Sequence, residues 1–102
     1  MNPHLARQAI HTENMTVARI YLASGAVVPE HSHVNEQVTS LLEGKLKFHC
    51  GGKEQVVTPG QTIQTEPNAP HWVEALEDSV ALDLFAPRRE DWIRGDDAYL
   101  RK

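Results

Sequence analysis

The stretch that decides the fold is His31-Ser32-His33-Val34-Asn35-Glu36-Gln37. Side chains of like parity in an extended strand point to one face, so His31, His33 and Gln37 are expected to project together. Imidazole is the commonest protein ligand for divalent transition metals, and the carbonyl oxygen of a glutamine can supply a fourth ligand. His71, which follows 38 residues after His33, completes the predicted set of four metal ligands.

Length and charge exclude several classes of protein. The chain has 102 residues, which is room for one domain. Its net charge of −4 argues against nucleic acid as a partner, since nucleic acid requires a basic face. The basic residues are scattered apart from Arg88-Arg89, and no apolar run reaches the ~20 residues of a membrane span. Residues 1–7 lack the apolar core of a secretory signal, so we predict a cytoplasmic protein with no membrane partner.

The remaining pattern is typical of an all-β domain. Glycine and proline punctuate the chain at short intervals, and the runs between them are rich in Val, Leu, Ile, Thr and Phe. Gly51-Gly52 predicts a tight hairpin turn, because paired glycines readily adopt positive φ. Only the last dozen residues could hold a helical turn. We predict about eight short strands, among them 15–22, 37–42, 45–50, 53–58, 62–65, 71–76 and 80–85.

We expect a single domain with two short extensions. Residues 15–86 form the predicted barrel. Residues 1–14 are the least patterned and are expected to form an edge strand or an arm that crosses to a partner subunit. Residues 87–102 are expected to form a C-terminal tail packed on the barrel, held there by Trp92 and Tyr99.

Two linked motifs carry a resemblance to a known family. The first consists of Gly25, His31-Ser32-His33, Gln37 and Gly44; the second consists of Gly60, Glu66-Pro67-Asn68 and His71. With these motifs the chain resembles the cupin superfamily over roughly residues 15–86. The resemblance implies a single-domain cupin double-stranded β-helix, the RmlC-like jelly-roll barrel, that holds one divalent metal ion.

Four positions depart from the motifs of the family. Gln37 stands where most members have glutamate, and Glu66 stands in place of a proline. Ala75 replaces the final asparagine of the second motif. Asn68 takes the place of a glycine, which is physically reasonable because asparagine tolerates a left-handed backbone better than other residues with a side chain.

The ligand set has alternatives. Glu36 competes with Gln37, although it would need a one-residue bulge to turn inward, whereas Gln37 has the parity of both histidines. His31 and His33 taken alone could be two solvated histidines on a strand. Three neutral imidazoles and one neutral amide leave the charge of a divalent ion uncompensated. This favours Lewis-acid chemistry over a dioxygenase, and iron, manganese, nickel, zinc and copper all fit the ligand types.

A second constellation lies at the end of the last predicted strand. It resembles the tail of the pectin- and alginate-degradation cupins, which convert 4,5-unsaturated monouronates into linear keto acids with a glutamine as metal ligand. Asp83, Phe85 and Arg89 match the segment that lines the pocket in that group. The resemblance therefore implies that these three residues are catalytic. The alternative is that Asp83 lies at the barrel mouth in an ion pair with Arg88 or Arg89.

These observations predict a metal-dependent enzyme acting on a small anionic sugar acid, with Asp83 moving protons and Arg89 holding the carboxylate of the substrate. Two other functions stay open: a module that binds metal or a small ligand without turnover, and a small iron dioxygenase. We also expect a homodimer, because the barrel has exposed sheet edges and residues 37–42 are largely apolar on both faces.

Overall fold

Two antiparallel sheets make up the fold in the computed structural model, which describes residues 4–95. The predictions of an all-β chain and of a jelly-roll barrel in one domain are confirmed. Within residues 4–95 no helix is long and apolar enough to cross a membrane. The elements of the described chain are β1 (Leu5–His11), β2 (Thr16–Leu22), β3 (Val27–His31), β4 (Glu36–Glu43), β5 (Leu46–Cys50), β6 (Lys53–Val57), β7 (Thr62–Thr65), β8 (His71–Ala75), β9 (Ser79–Ala86) and α1 (Glu90–Arg94).

The order of the strands brings together residues that are far apart in the chain. One sheet has the order β1-β2-β9-β4-β7, and the other has the order β3-β8-β5-β6. In the first sheet β9 lies between β2 and β4, so that Asp83 stands opposite Thr39 and Phe85 stands opposite Gln37. In the second sheet β3 and β8 pair so that His31 stands opposite His71. Each sheet therefore delivers part of the predicted site.

The core lies between the sheets and follows from the alternation of apolar side chains. Along β2 the buried positions are every second residue from Thr16 to Leu22, and along β9 they run from Ser79 to Phe85. This period of two is the signature of strands with one face on the core. The buried apolar side chains include Ala18, Ile20, Leu22, Leu41, Leu46, Phe48, Val57, Val73, Ala75, Ala81 and Phe85.

Two turns rest on glycine for different reasons. Gly51 and Gly52 have φ angles of 60° and 77° and close the β5–β6 hairpin, as predicted. Gly44 has a φ of 90°, and a Cβ atom there would lie 2.3 Å from the backbone oxygen of Asp78. Gly44 thus permits a close approach of two chain segments that any side chain would block.

The idea that residues 31–37 form one strand is wrong. β3 ends at His31, residues 32–35 form a connecting loop, and β4 begins at Glu36 in the other sheet. The shared parity of His31 and Gln37 therefore does not bring them together. They converge because the loop carries the chain from one sheet to the facing sheet across the mouth of the barrel.

The first and last elements of residues 4–95 lie on the barrel. β1 pairs along its length with β2 and forms one edge of the five-stranded sheet. After β9, the side chain of Trp92 in α1 is buried against the ring of Phe85, with ring centroids 5.1 Å apart. The expectation for Tyr99 falls on residues outside the described part of the chain.

Candidate metal centre

Three histidines form a cluster at the mouth of the barrel. His31 ends β3, His71 begins β8, and His33 lies in the loop that connects the sheets. The ring centroid of His71 is 4.3 Å from that of His31 and 5.0 Å from that of His33. One ligand atom from each ring lies within 4.8 Å of the others, so the three rings could hold a metal ion.

Backbone carbonyls orient all three rings. The Nδ1 atom of His31 lies 2.8 Å from the oxygen of Pro29, that of His71 lies 2.8 Å from the oxygen of Ala69, and that of His33 lies 3.0 Å from the oxygen of Asn35. A carbonyl oxygen can only accept, so Nδ1 carries the proton in His31 and His71. In His33 both ring nitrogens face a carbonyl oxygen at 3.0 Å, and the tautomer that can bind a metal is the one with the proton on Nδ1. Each Nε2 is then left with a lone pair, which is the form that binds a metal.

The environment keeps these imidazoles neutral. Burial lowers the pKa of His31 to about 4 and that of His33 to about 4, with further lowering by the neighbouring histidines and by Arg89. Burial and the charge of Arg89 also lower the pKa of His71. Because a metal competes with protons for the same lone pairs, low pKa values keep the site ready to bind an ion at neutral pH.

Gln37 is the fourth member of the cluster. Its side chain is buried and its Oε1 atom lies 3.0 Å from Nε2 of His33. Glu36, the competing residue, is exposed and accepts a hydrogen bond of 2.9 Å from Gln64. Gln37 therefore faces the cluster and Glu36 faces away from it.

The donor set fits a metal ion. With the imidazole proton of His33 on Nδ1, the lone pairs of its Nε2 atom and of Oε1 of Gln37 face each other at 3.0 Å. An imidazole nitrogen and an amide oxygen are both ligand types that divalent transition metals accept. A cation between the two atoms would turn their mutual repulsion into attraction.

The second motif supports the first through its backbone. Asn68 has a φ of 64°, in the left-handed region that asparagine tolerates. In this conformation its backbone N–H donates a hydrogen bond of 2.7 Å to the oxygen of His33. The departure from glycine at this position thus keeps the local geometry, and the turn before β8 holds the loop that carries His33.

Asp83 is buried beside the cluster, and its recorded hydrogen bonds come from side chains of β4. The Thr39 hydroxyl and Nε2 of Gln37 both donate to its Oδ1 atom, the latter at 3.4 Å. Burial raises the pKa of Asp83 to about 6, against the opposing effects of these hydrogen bonds and of Arg89. Among the hydrogen bonds recorded for residues 4–95, none ends on Oδ2 of this carboxylate.

Arg89 is held in a fixed position beside the cavity. Its Nε and Nη2 atoms donate to the carboxylate of Asp91 at 2.9 and 2.7 Å. Its guanidinium carbon lies 4.7 Å from the ring centroid of Phe85 and 4.3 Å from that of Trp92. The recorded ion pair of Arg88 is with Glu90. Within residues 4–95 the side chain of Asp83 accepts hydrogen bonds from Thr39 and Gln37 and forms no ion pair with these arginines. The alternative of an ion pair with Arg88 or Arg89 is therefore wrong.

A cavity joins these groups to the interior of the barrel. Its wall combines apolar side chains with a smaller number of polar ones, the composition expected of a site for a small ligand. The polar lining comprises His31, Gln37, Thr39, His71, Asp83 and Arg89, and the apolar lining includes Leu5, Ile20, Leu46, Phe48, Val73 and Phe85.

Sequence reasoning missed two buried residues of the site. Thr39 connects Gln37 with Asp83, and its only signal was its parity with Gln37, two residues earlier on β4. The side-chain nitrogen of Asn35 donates to the backbone oxygens of Pro87 and Arg88. These hydrogen bonds connect the loop of residues 32–35 to the segment that carries Arg89. A loop asparagine carries no signal of such a long-range contact.

Known proteins are similar to this chain in sequence and in fold. The chain is 25% identical over 84 residues to the pectin degradation protein KdgF of Dickeya dadantii (strain 3937), covering 80% of this chain and 76% of that protein. The structure is similar to KdgF from Halomonas sp., with a TM-score of 0.84, 28% identity and coverage of 90% and 88%. It is also similar to an RmlC-like cupin from Shewanella frigidimarina NCIMB 400, with a TM-score of 0.85, 26% identity and coverage of 90% and 84%.

The family of the chain follows from the extent of the match. Residues 18–86, which are more than half of the chain, match the cupin domain family. They include both predicted motifs and all four residues of the cluster. The chain belongs to the cupin domain family.

Proposed function

We propose that this chain is a metal-dependent enzyme that converts a 4,5-unsaturated uronate into its linear keto acid. The observation that carries the proposal is the buried carboxylate of Asp83 beside a cluster of four neutral metal ligands. The likeness to two KdgF proteins, one of them named a pectin degradation protein, supports the same class of substrate.

The reaction is an isomerisation in which one proton changes place. The ring opens when the anomeric hydroxyl loses its proton and the bond between the anomeric carbon and the ring oxygen breaks. The anomeric carbon becomes an aldehyde, and the ring oxygen leaves as an enolate on carbon 5. A proton delivered to carbon 4 then gives the ketone. The enzyme therefore needs a group that accepts a proton and returns one, and a site that favours a negatively charged oxygen.

His31, His33, Gln37 and His71 are the residues that would hold the metal. A bound divalent ion supplies Lewis acidity, which stabilises negative charge as it develops on oxygen. Because the four ligands are neutral, none of them reduces the charge of the ion. Such a site favours anionic ligands and carries less of the negative charge that stabilises ferric iron.

Asp83 is the proposed proton-transfer group. Its pKa of about 6 lets it be ionised at neutral pH and still hold a transferred proton. Thr39 and Gln37 fix the carboxylate through Oδ1, while Oδ2 lies outside those hydrogen bonds and is the atom we assign to the substrate. The carboxylate accepts the proton of the anomeric hydroxyl and delivers a proton to carbon 4.

Arg89 and Phe85 are proposed to bind and enclose the substrate. Asp91 and the two aromatic faces hold the guanidinium at the cavity wall, so little conformational entropy is lost when it binds a carboxylate. Its positive charge reaches the site, since it lowers the pKa of both His33 and Asp83. Phe85 provides an apolar wall that excludes water.

The test is a screen of 4,5-unsaturated uronates with the metal-loaded and the metal-stripped protein. We expect the ultraviolet absorption of the enol ether to disappear faster with the loaded protein. Uptake of oxygen with candidate diols would instead indicate a dioxygenase. Binding of uronates and metal without accelerated loss of the absorption would indicate a module without turnover.

We further propose that the protein is a homodimer. Val17, Leu84 and Val38 form a cross-strand row on the outer face of the five-stranded sheet, opposite the core, and Ile10 on β1 extends this row. Ile10 is 68% exposed. A second copy placed on this face would remove these side chains from water.

A further inference from the structure

We propose that Thr39 is a positioning residue that fixes the side-chain amide of Gln37 with its oxygen toward the metal ligands. The inference rests on the role of Gln37 as a ligand in the proposed function. It adds a determinant of metal binding that does not itself touch the ion.

Thr39 lies directly behind the amide group of Gln37. The two residues are on the same face of β4, and both side chains are buried, with Thr39 1% exposed. The Nε2 atom of Gln37 donates to the Thr39 hydroxyl at 3.1 Å. On the adjacent strand Asp83 stands opposite Thr39 in the register and accepts its hydroxyl proton.

The count of donors and acceptors leaves one orientation for the amide. A threonine hydroxyl has a single proton, and here that proton goes to Asp83. Toward Gln37 the hydroxyl can therefore only accept, and Oδ1 of Asp83 is a second acceptor 3.4 Å from the same nitrogen. Two acceptors on this side require the NH2 group, and so the oxygen of Gln37 is directed to Nε2 of His33.

In the tautomer of His33 that binds a metal, the opposite side of the amide offers no such selection. Nε2 of His33 carries a lone pair and would accept a proton from a rotated NH2 group equally well. In that rotated state the amide would present N–H groups to the ion, which a cation repels. A glutamine amide has one oxygen and one nitrogen, and only the oxygen can bind the ion. Thr39 and Asp83 together select the orientation in which the oxygen faces the ion.

Two substitutions separate this role from simple packing. Thr39→Val keeps the shape of the side chain and removes the hydroxyl, while Thr39→Ser keeps the hydroxyl and removes a methyl group. Metal-stripped full-length proteins would be titrated with Co2+, and the affinity and the visible absorption spectrum would be recorded. Loss of a residue that orients a ligand typically costs about 10- to 100-fold in metal affinity. We expect that loss in Thr39→Val and a nearly unchanged affinity in Thr39→Ser.

Thr39→Val in the Gln37→Glu protein tests whether Thr39 acts through the orientation of the amide. In Gln37→Glu the ligand is a carboxylate with two oxygens, so either rotation presents an oxygen to the ion. Thr39→Val should therefore reduce Co2+ affinity much less in the Gln37→Glu protein than in the parent. This non-additivity is a readout that a general loss of packing would not produce.

Three results would overturn the inference. They are an unchanged affinity in Thr39→Val, an equal loss in Thr39→Ser, and an equal loss from Thr39→Val in both backgrounds. None of these measurements requires turnover. Failure of the proposed reaction with every uronate would therefore leave this inference standing, and its own failure would be seen in metal binding alone.

Discussion

Nε2 of His33 lies 3.0 Å from Oε1 of Gln37, although both atoms carry lone pairs when the ring is protonated at Nδ1. Buried polar atoms ordinarily meet a partner of the opposite kind. In that tautomer two electron-pair donors face each other beside the rings of His31 and His71, an arrangement that suits a cation.

Replacement of His71 by alanine should remove most of the bound metal. The substitution deletes one of three imidazole ligands, and the remaining atoms cannot make up the lost coordination. Elemental analysis of natively purified protein measures the effect. His49→Ala is the matched control, because His49 lies outside the cluster. Its ring stacks on that of Trp72, with the ring centroids 3.5 Å apart. Full retention of metal by His71→Ala would show that His71 is not a metal ligand and that the assigned site is wrong.

Asp83→Asn should abolish most turnover and leave the metal content intact. The amide is close to the carboxylate in shape but cannot accept and return a proton, and loss of such a group typically costs about 100- to 10,000-fold in rate. Glu36→Gln is the control, since it makes the same chemical change on an exposed residue. If Asp83→Asn turns over every accepted uronate at a near-normal rate, the role assigned to Asp83 is wrong.

Arg89→Lys should raise KM for a uronate far more than it lowers kcat. A lysine keeps the charge but loses the planar fork, which is held by Asp91 and packed on Phe85. Arg88→Lys, at the neighbouring exposed position paired with Glu90, should leave both constants near those of the parent. Steady-state kinetics measure kcat and KM for both variants and the parent. An unchanged KM in Arg89→Lys would argue against a contact between Arg89 and the substrate.

The metal-free protein should lose stability between about pH 6.5 and pH 4. The folded state lowers the pKa of His31 and of His33 from 6.5 to about 4, and it also lowers that of His71. In this window the unfolded chain therefore binds protons that the folded chain does not, and acid favours unfolding. Asp83 acts in the opposite sense, because its pKa rises from 3.8 to about 6 on folding.

Thermal unfolding in the presence of a chelator tests this balance. We expect Tm to fall from pH 7 to pH 5, because three histidines outweigh one aspartate. Asp83→Asn removes the opposing contribution, so its Tm should fall more steeply over the same range. A Tm that stays constant or rises on acidification would contradict the account of the buried imidazoles.

The proposed homodimer can be tested in solution with a substitution on the outer face of the five-stranded sheet. Leu84→Glu introduces a charge in the middle of the apolar row on the outer face of the five-stranded sheet, and it should convert the protein to a monomer. Gln55→Glu, at an exposed position of β6 in the other sheet, is the control. Sedimentation at micromolar concentration measures both variants. A parent protein that is already a stable monomer would contradict the prediction.

Alternation and glycine placement made much of the fold predictable. The strands predicted at residues 45–50 and 53–58, joined by the turn at Gly51-Gly52, correspond to the β5–β6 hairpin. The left-handed backbone of Asn68 is likewise predictable, because asparagine in the place of a glycine tolerates this conformation. Such features are local, and a sequence encodes them within a few residues.

The parts that could not be predicted depend on contacts between distant segments. Parity assigned residues 31–37 to one strand, whereas the loop after His31 crosses between sheets. The link from Thr39 to Asp83 spans 44 positions, and the link from Asn35 to Pro87 spans 52. Register between β4 and β9 creates the first contact, and no pattern within either strand reveals that register.

The proposed reaction is tested most directly by incubating the metal-loaded protein with a 4,5-unsaturated monouronate in heavy water and following the products by proton NMR. We expect rapid formation of the linear keto acid with one deuterium delivered to carbon 4, no acceleration by the metal-stripped protein, and much slower formation with Asp83→Asn. If the loaded parent protein binds the uronate but forms the keto acid no faster than solvent alone, the proposed function is contradicted.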